Sequence, residues 1–352
     1  MIVREIGSEF WNAEYGDTKP FCKKTYLSGR TALMAIILDL KSRGIKNVCL
    51  PDYLCESMIE PFQRERMEIG FYPVQKSEDG LGFSLDIIEN FDAVMLVNYF
   101  GFTTEMVRTL IFECKRLGKT IILDQTHAVF TDAFDNVADY IFGSYRKWTG
   151  IEAGFTAGIR QQTLLSWELS DDGAKYLSLR DQARKIKKTF VKSNYSDEAL
   201  RRRQLVLFEK AENFLDRNYL SDTDRMNKSL LESLDVEYIK NRRRDNAETI
   251  YEQLQQIETC TPLFSGLSDR IIPLAVPILV PNERRDSLRT HLKEHGIFCP
   301  IHWPLSGLHK VGEEAKKIYS KEISLVCDQR YNTKDMIRMM EIIKRWEKIT
   351  SK

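Results

Sequence analysis

The sequence predicts an α/β protein: a large domain on a mainly parallel sheet, followed by a small C-terminal α/β domain. Three observations carry this. Between residues 24 and 158, helix-period segments alternate with short apolar segments. Residues 93–99 are a nearly continuous apolar run, the pattern of a parallel strand covered on both faces. After long charged stretches, a second strand–helix–strand pattern begins at residue 271. At 352 residues the chain has the length for about two domains with a sizeable core. The division expected is an N-terminal segment (1–23), a large domain (24–235), and a connecting helix with the small domain (236–352).

Taken in order, residues 31–42 place Leu33, Ile36, Ile37 and Leu40 at helical spacing. Residues 47–50 read as a strand running into Pro51-Asp52-Tyr53, 57–66 as a short helix, and 68–74 as a strand. The apolar run 93–99 is followed by a helix over 103–117 that Gly118 stops. Strands are expected at 120–123, 140–143 and 155–159. Residues 175–219 and 228–257 are rich in Arg, Glu, Leu and Lys and read as long helical stretches, the second connecting the domains. The small domain is expected as strand 271–280, helix 284–295, strands 297–301 and 322–326, and a final helix over 333–348. No repeat or low-complexity segment interrupts the pattern. A parallel sheet of this kind places its site at the strand C-termini.

Composition narrows the function. The 52 Lys and Arg nearly balance the 51 Asp and Glu, so charge gives no reason to expect nucleic acid or a membrane surface as partner. The densest basic run, Arg242-Arg243-Arg244, reads as a solvated helix face or a subunit contact. Seven cysteines, an odd number without a C-x-x-C pair, and no signal-peptide pattern lead to the expectation of a cytoplasmic protein with reduced cysteines. The longest stretch free of Asp, Glu, Lys and Arg, residues 295–309, holds three histidines and two prolines and is not a spanning helix. His291 and His295 have metal-ligand spacing, but no H-E-x-x-H carboxylate accompanies them and no metal is expected.

The chemistry points to two strand ends. The apolar stretch 138–142 runs into Gly143-Ser144-Tyr145-Arg146-Lys147-Trp148, and strand 120–123 ends in Asp124. A lysine and a carboxylate so placed suit a pyridoxal phosphate enzyme. The amine forms a Schiff base with the cofactor aldehyde, and the carboxylate keeps the pyridine nitrogen protonated so that the ring withdraws electrons. Ser28-Gly29-Arg30-Thr31 opens a helix and presents N–H groups and hydroxyls to an anion, reinforced by the helix dipole. Taken singly, these segments are equally an ordinary N-cap, a plain strand end and surface residues. Together they stand in the order one site requires: phosphate turn, ring partner, lysine.

These residues resemble the DegT/DnrJ/StrS sugar aminotransferase family of fold-type I pyridoxal phosphate enzymes. Residues 28–33 are similar to the family's S-G-T-A-A-L phosphate motif, with Arg30 where Thr is usual. Leu50-Pro51-Asp52-Tyr53 resembles its strand ending in Pro and an aromatic. Residues 98–101 with Met106 resemble its H-x-x-G-x-x-x-x-M segment, and 123–128 its E-D-A-A-Q-A segment. Residues 143–147 resemble its S-x-x-K motif, with Gly154 and Gly158 in the strand beyond. Pro300-Ile301-His302 resembles its P-L-H element, and 327–331 the small-domain strand end of one branch. The resemblance spans roughly residues 24–345.

The resemblance implies that Lys147 is the Schiff-base lysine and proton shuttle and Asp124 the partner of the pyridine nitrogen. His127 stands where a glutamine usually reaches the ring hydroxyl, and Ser28, Gly29, Arg30 and Ser144 would bind the cofactor phosphate. It further implies a homodimer that moves an amino group from an amino acid such as glutamate to a nucleotide-linked keto-sugar, with His302 at the substrate. Three positions depart from the family pattern. Cys55 stands where a Phe often stacks on the ring, leaving that role to Tyr53 or another aromatic. Thr223-Asp224-Arg225-Met226 replaces the N-Y-R-M segment whose Asn reaches a partner's phosphate, and the lysine loop is shorter than S-F-x-x-x-K. Two alternatives stand beside this reading. One is a lyase or dehydratase using the same cofactor, against which Lys147 argues because the dehydrating branch has His there. The other is a non-catalytic regulatory homologue.

Overall fold

The chain enters through a two-residue strand, β1 (Ile6–Gly7), and β2 (Lys24–Tyr26) opens the main sheet. The computed structural model describes residues 4–19, 21–131, 134–217, 219–281 and 284–350, so residues 1–3 and 20 of the N-terminal segment lie outside the described residues. α1 (Gly29–Ser42) begins at a reciprocal cap: the Ser28 hydroxyl accepts the Thr31 N–H, and Thr31 Oγ1 accepts the Ser28 N–H at 2.7 Å. Leu33, Ile36, Ile37 and Leu40 are buried, as their spacing predicts. β3 (Asn47–Pro51), α2 (Glu56–Arg64) and β4 (Glu68–Tyr72) follow. The strand expected over 68–74 stops at Tyr72 because Pro73 has no N–H for the ladder. The chain then makes a hairpin, β5 (Val74–Lys76) and β6 (Leu81–Phe83). β7 (Ala93–Val97), α3 (Thr104–Arg116), β8 (Thr120–Asp124), β9 (Tyr140–Ser144) and β10 (Gly154–Ala157) complete the pattern.

Seven strands form one sheet in the order β2-β10-β9-β8-β7-β3-β4. The five strands from β4 to β9 in this order run parallel, while β10 is antiparallel to both β9 and β2. Every residue of β7 and β9 is buried, as double coverage requires. Parallel pairing also fixes the site: Asp124 at the end of β8 lies opposite Phe142, so Asp124 and the segment after Ser144 leave the sheet on the same edge. β10 passes the start of α1 so closely that a Cβ on Gly154 would stand 2.1 Å from the Ser28 carbonyl oxygen. Only glycine fits there.

The helical stretch 175–219 is two helices, α4 (Asp171–Lys192) and α5 (Glu198–Leu215). Between them Asn194 and Tyr195 take positive φ values of 53° and 62°, which a continuous right-handed helix excludes. Likewise 228–257 divides into α6 (Arg225–Glu232) and α7 (Val236–Leu254), each started by its own aspartate cap, Asp224 and Asp235. The remaining elements are β11 (Thr261–Pro262), β12 (Val276–Leu279), α8 (Arg284–Glu294), β13 (Ile297–Phe298), α9 (Glu313–Lys321), β14 (Glu322–Leu325) and α10 (Thr333–Thr350).

The strand expected over 271–280 shortens to β12. Pro273 lacks a donor, and the carbonyls of Pro273 and Leu274 accept from Arg243 at 3.2 and 2.9 Å instead of from a ladder. The strand expected over 297–301 shortens to β13, which pairs parallel with β1 ahead of Pro300. α9 has no counterpart in the sequence reading. β11, β12 and β14 form an antiparallel sheet. Ile239 of α7 belongs to the core around the main sheet, whereas Ala247, Ile250 and Leu254 of the same helix belong to a second core with Val276, Leu288, Met339 and Trp346.

Candidate active site

β9 carries Ser144 to the sheet edge, and a 3-10 turn over Tyr145–Lys147 swings the lysine inward. The next residue locks the turn. The buried Trp148 donates from Nε1 to the Thr126 carbonyl at 2.8 Å, and its own carbonyl accepts from Gln329 Nε2 at 2.7 Å. Lys147 Nζ lies 3.2 Å from His127 Nε2 and 5.9 Å from the centre of the Trp303 ring. Burial holds the lysine below its ordinary pKa; Arg146 adds to the lowering, and Cys55 and Asp124 offset part of it. An amine closer to neutrality is the better nucleophile and proton carrier.

Asp124 ends β8 with its carboxylate accepting the Thr126 N–H at 2.7 Å. Burial raises its pKa, and the Thr126 hydrogen bonds and the Lys147 charge counter only part of the rise. His127 is buried, stacked on Trp303 (5.3 Å, 26°) and edge-on to His302 (5.0 Å, 79°). Burial first, then the charge of Lys147 and the neighbouring His302 ring, hold it neutral, well below the ordinary histidine range. A neutral ring that accepts from the Lys147 ammonium on Nε2 carries its proton on Nδ1. That Nδ1 is buried without a hydrogen-bond partner, a donor placed for a ligand atom.

The start of α1 meets the end of β9, where a Cβ on Gly29 would lie 3.3 Å from Ser144 Cβ. Ser28, Gly29, Arg30, Asp124, His127, Ser144 and Lys147 thus line one cavity, with Cys55 and Trp303 on the same wall. Arg30 is anchored by ion pairs to Asp216 and, at 3.6 Å, to Glu212. Glu212 also accepts from Arg146 at 2.6 Å. Behind the turn, Glu152 is buried among Arg180 (2.6 Å), Arg184 and Tyr176. Burial opposes its ionisation, yet Arg180, Arg184 and Arg146 overcome that and hold it well below the usual carboxylate range.

Tyr53 stands elsewhere than on this wall. It is fully buried, donates its hydroxyl to the His302 carbonyl, stacks on Tyr99 (5.5 Å, 22°) and meets Tyr319 edge-on. A buried phenol needs a hydrogen-bond acceptor, and Tyr53 finds it in the His302 carbonyl. Trp303, which spacing alone did not single out, is the aromatic that faces Lys147. His302 lines an adjoining cavity that Lys147 also reaches. Thr223 faces its own chain, donating to the Glu152 carbonyl at 2.6 Å. The rings of His291 and His295 lie 4.5 Å apart, with His295 Nδ1 at 2.8 Å from the His291 carbonyl oxygen. Among the described residues no group of three or more His, Cys, Asp or Glu side chains is arranged to hold a metal.

No protein-family model and no curated protein matches the sequence. Solved structures do match. PseC of Helicobacter pylori, an aminotransferase involved in the biosynthesis of pseudoaminic acid, aligns with a TM-score of 0.65 at 14% identity over 97% of this chain and 100% of that one. A DegT DnrJ EryC1 StrS aminotransferase from Brucella abortus aligns at 0.61 and 16% identity over 92% and 86% of the two chains. A putative sugar aminotransferase from Streptococcus pneumoniae, in its PLP form, aligns at 0.62 and 14% identity over 93% and 87%. The chain therefore has the fold-type I architecture of sugar aminotransferases, a likeness of fold at these identities.

Proposed function

We propose that the protein is a pyridoxal phosphate-dependent aminotransferase of the DegT/DnrJ/StrS type. It would move an amino group from an amino acid, glutamate first among candidates, to a nucleotide-linked keto-sugar. The observation that carries this reading is the meeting of Lys147, Asp124 and the Ser28–Arg30 turn on one cavity at the C-terminal ends of β8 and β9.

The residues present fit the cofactor. The N-terminus of α1, the hydroxyls of Ser28 and Ser144 and the Arg30 guanidinium suit its phosphate. The orphan Nδ1 donor of His127 suits the ring hydroxyl, and Asp124 suits the ring nitrogen. When bound, pyridoxal phosphate supplies an aldehyde that condenses with amines and a ring that draws electrons from the adjoining carbon. The chain supplies the rest. Buried Asp124 is short of a cationic partner, and a protonated ring nitrogen would settle it as the anion. Lys147, with its pKa lowered, can accept on Nζ a proton leaving the substrate carbon and give it up again from Nζ. Trp303 and His127 stack on one another in the wall of the cavity.

The active form in this reading is a cytoplasmic homodimer. Exposed Leu205 and Val206 on α5, exposed Leu220, and exposed Met226 on α6 support a covered apolar surface. Among the described residues no helix is long and apolar enough to cross a membrane. The test is absorbance of the purified protein after addition of pyridoxal phosphate. A protein-bound cofactor band should appear, decay on addition of one amino acid from a donor panel, and return on addition of a keto-sugar nucleotide. Absence of any bound band with cofactor in excess overturns the reading.

A further inference from the structure

The larger of the two cavities that Lys147 lines, about 500 Å³, continues from the lysine to helix α8. Its wall is cationic in an uneven way. Arg330 is neutralised by Asp328 (2.8 and 2.7 Å), Arg146 by Glu212 (2.6 Å), and Glu9 by Arg180 (2.9 Å). Lys147, Arg243, Arg289 and Lys293 stand on the wall without a carboxylate ion pair among the described residues. Arg243 has its donors engaged by Gln329 Oε1 and the carbonyls of Pro273 and Leu274, so it adds charge but no free donor. Arg289 and Lys293 differ. Arg289 Nε is buried with no hydrogen-bond partner, and Lys293, one turn further along α8, is exposed at the mouth.

A buried guanidinium N–H without an acceptor costs stability unless something fills the place. A cation without a counter-ion in a cavity wall focuses potential on whatever anion enters. The spacing i, i+4 sets the two side chains side by side on one helix face. A planar fork beside a point charge suits a polyanion with several oxygens better than a single carboxylate. The cavity is also larger than an amino acid needs. Resting on the aminotransferase reading, we propose that Arg289 and Lys293 form the binding site for the phosphate or diphosphate group of the sugar substrate. That group would be held at α8 while the reacting carbon lies at Lys147.

The test is calorimetric titration of inorganic pyrophosphate, and separately of 2-oxoglutarate, into full-length protein saturated with pyridoxal phosphate. Wild type is compared with the double variant Arg289→Gln/Lys293→Gln and with Lys293→Gln alone, an exposed position whose change leaves the fold intact. Each lost charge-assisted contact is worth about tenfold. Pyrophosphate affinity should therefore fall about tenfold in the single variant and about a hundredfold in the double, with 2-oxoglutarate unchanged. Unchanged pyrophosphate affinity overturns the proposal, and so does an equal loss for both probes, which would mean a general field and no phosphate site. If the protein takes up no pyridoxal phosphate, the cofactor reading fails. The pyrophosphate titration on the protein alone still decides the site at α8.

Discussion

Glu322 grips His302 twice. Its Oε2 accepts the His302 backbone N–H at 2.6 Å. Its Oε1 lies 2.5 Å from the Ser324 hydroxyl oxygen, which in turn lies 2.8 Å from His302 Nδ1. While Glu322 is ionised, Ser324 donates to it and His302 Nδ1 donates to Ser324; a proton on Glu322 Oε1 reverses both bonds, so that Ser324 donates to Nδ1 and the imidazole proton sits on Nε2. Burial pushes Glu322 up to about 8, and burial together with Lys147 pushes His302 down to about 3. Near neutrality both are uncharged, so the chain holds a neutral relay beside a cationic cavity.

That relay predicts opposing pH effects on stability. Between 4.5 and 8 the folded protein holds a proton on Glu322 that the unfolded chain has released, so this group's contribution falls as pH rises. Between 3 and 6.5 the unfolded chain holds a proton that folded His302 refuses, so that contribution rises with pH. The two oppose each other below 6.5, and Glu322 acts alone above it. From pH 6.5 to 7.5 Glu322 should cost about 1.4 kcal/mol, and Glu322→Gln should abolish that loss while keeping the acceptor for His302. Urea unfolding at the two pH values checks it; equal losses in variant and wild type would refute the assignment.

Lys147→Ala should end covalent cofactor retention and lower turnover by about 10⁴-fold or more, because no other lysine lines the Ser28–Lys147 cavity. Folding should survive, since the substitution removes a cation that burial disfavours. Mass spectrometry after borohydride treatment reads the first effect. A cofactor adduct persisting in the variant would show that another amine does this work.

Glu152→Gln should be among the most damaging substitutions outside the cavity. It leaves buried Arg180 and half-buried Arg184 without their shared carboxylate, and breaking such a cluster costs about 3–5 kcal/mol. Because Arg146 adjoins Lys147 and feels the same charge, the variant should also bind pyridoxal phosphate less tightly. Thermal unfolding with and without cofactor measures both effects. A variant as stable as wild type would mean that the arginines find other partners.

What could be read from the chain and what could not follow one physical division. The positions of Ser28 with Thr31, of Asp124 and of Lys147 at element ends are legible because each is set by local pattern: a capping pair, or a polar residue closing an apolar strand. Their convergence needs only parallel pairing of β8 with β9. The placement of Trp303, Arg289 and Lys293 on the cavities that Lys147 lines is not legible, because they reach them only when the chain after α7 folds back. Gln329 and Trp148, which hold that return together, are 181 residues apart. Tyr53, which the resemblance offers for the ring because Cys55 stands at the usual Phe position, has its hydroxyl drawn into the core at His302, a contact that no local pattern shows. The breaks at Pro73 and at Asn194–Tyr195 come from a missing donor and from positive φ, neither of which alters hydrophobic spacing.

Asp124→Asn tests the centre of the reading. An amide nearly matches the carboxylate in size, and its oxygen can still accept the Thr126 N–H, so the end of β8 and the cavity should keep their shape. What disappears is the negative charge. Without it a pyridine nitrogen has no anion to keep it protonated, and the ring loses most of its pull on electrons. Lys147 also loses a neighbour that now raises its pKa, so its amine should become more neutral. The variant should therefore still retain the cofactor on Lys147 while its half-reaction with the amino donor slows by about 10²- to 10³-fold, the usual size of losing one preorganised electrostatic partner. Rapid-mixing absorbance with the best donor from the panel separates cofactor retention from the proton-transfer step. A variant that completes the half-reaction at the wild-type rate removes Asp124 from the role of ring partner, and with it the pairing of β8 and β9 as the frame of the site.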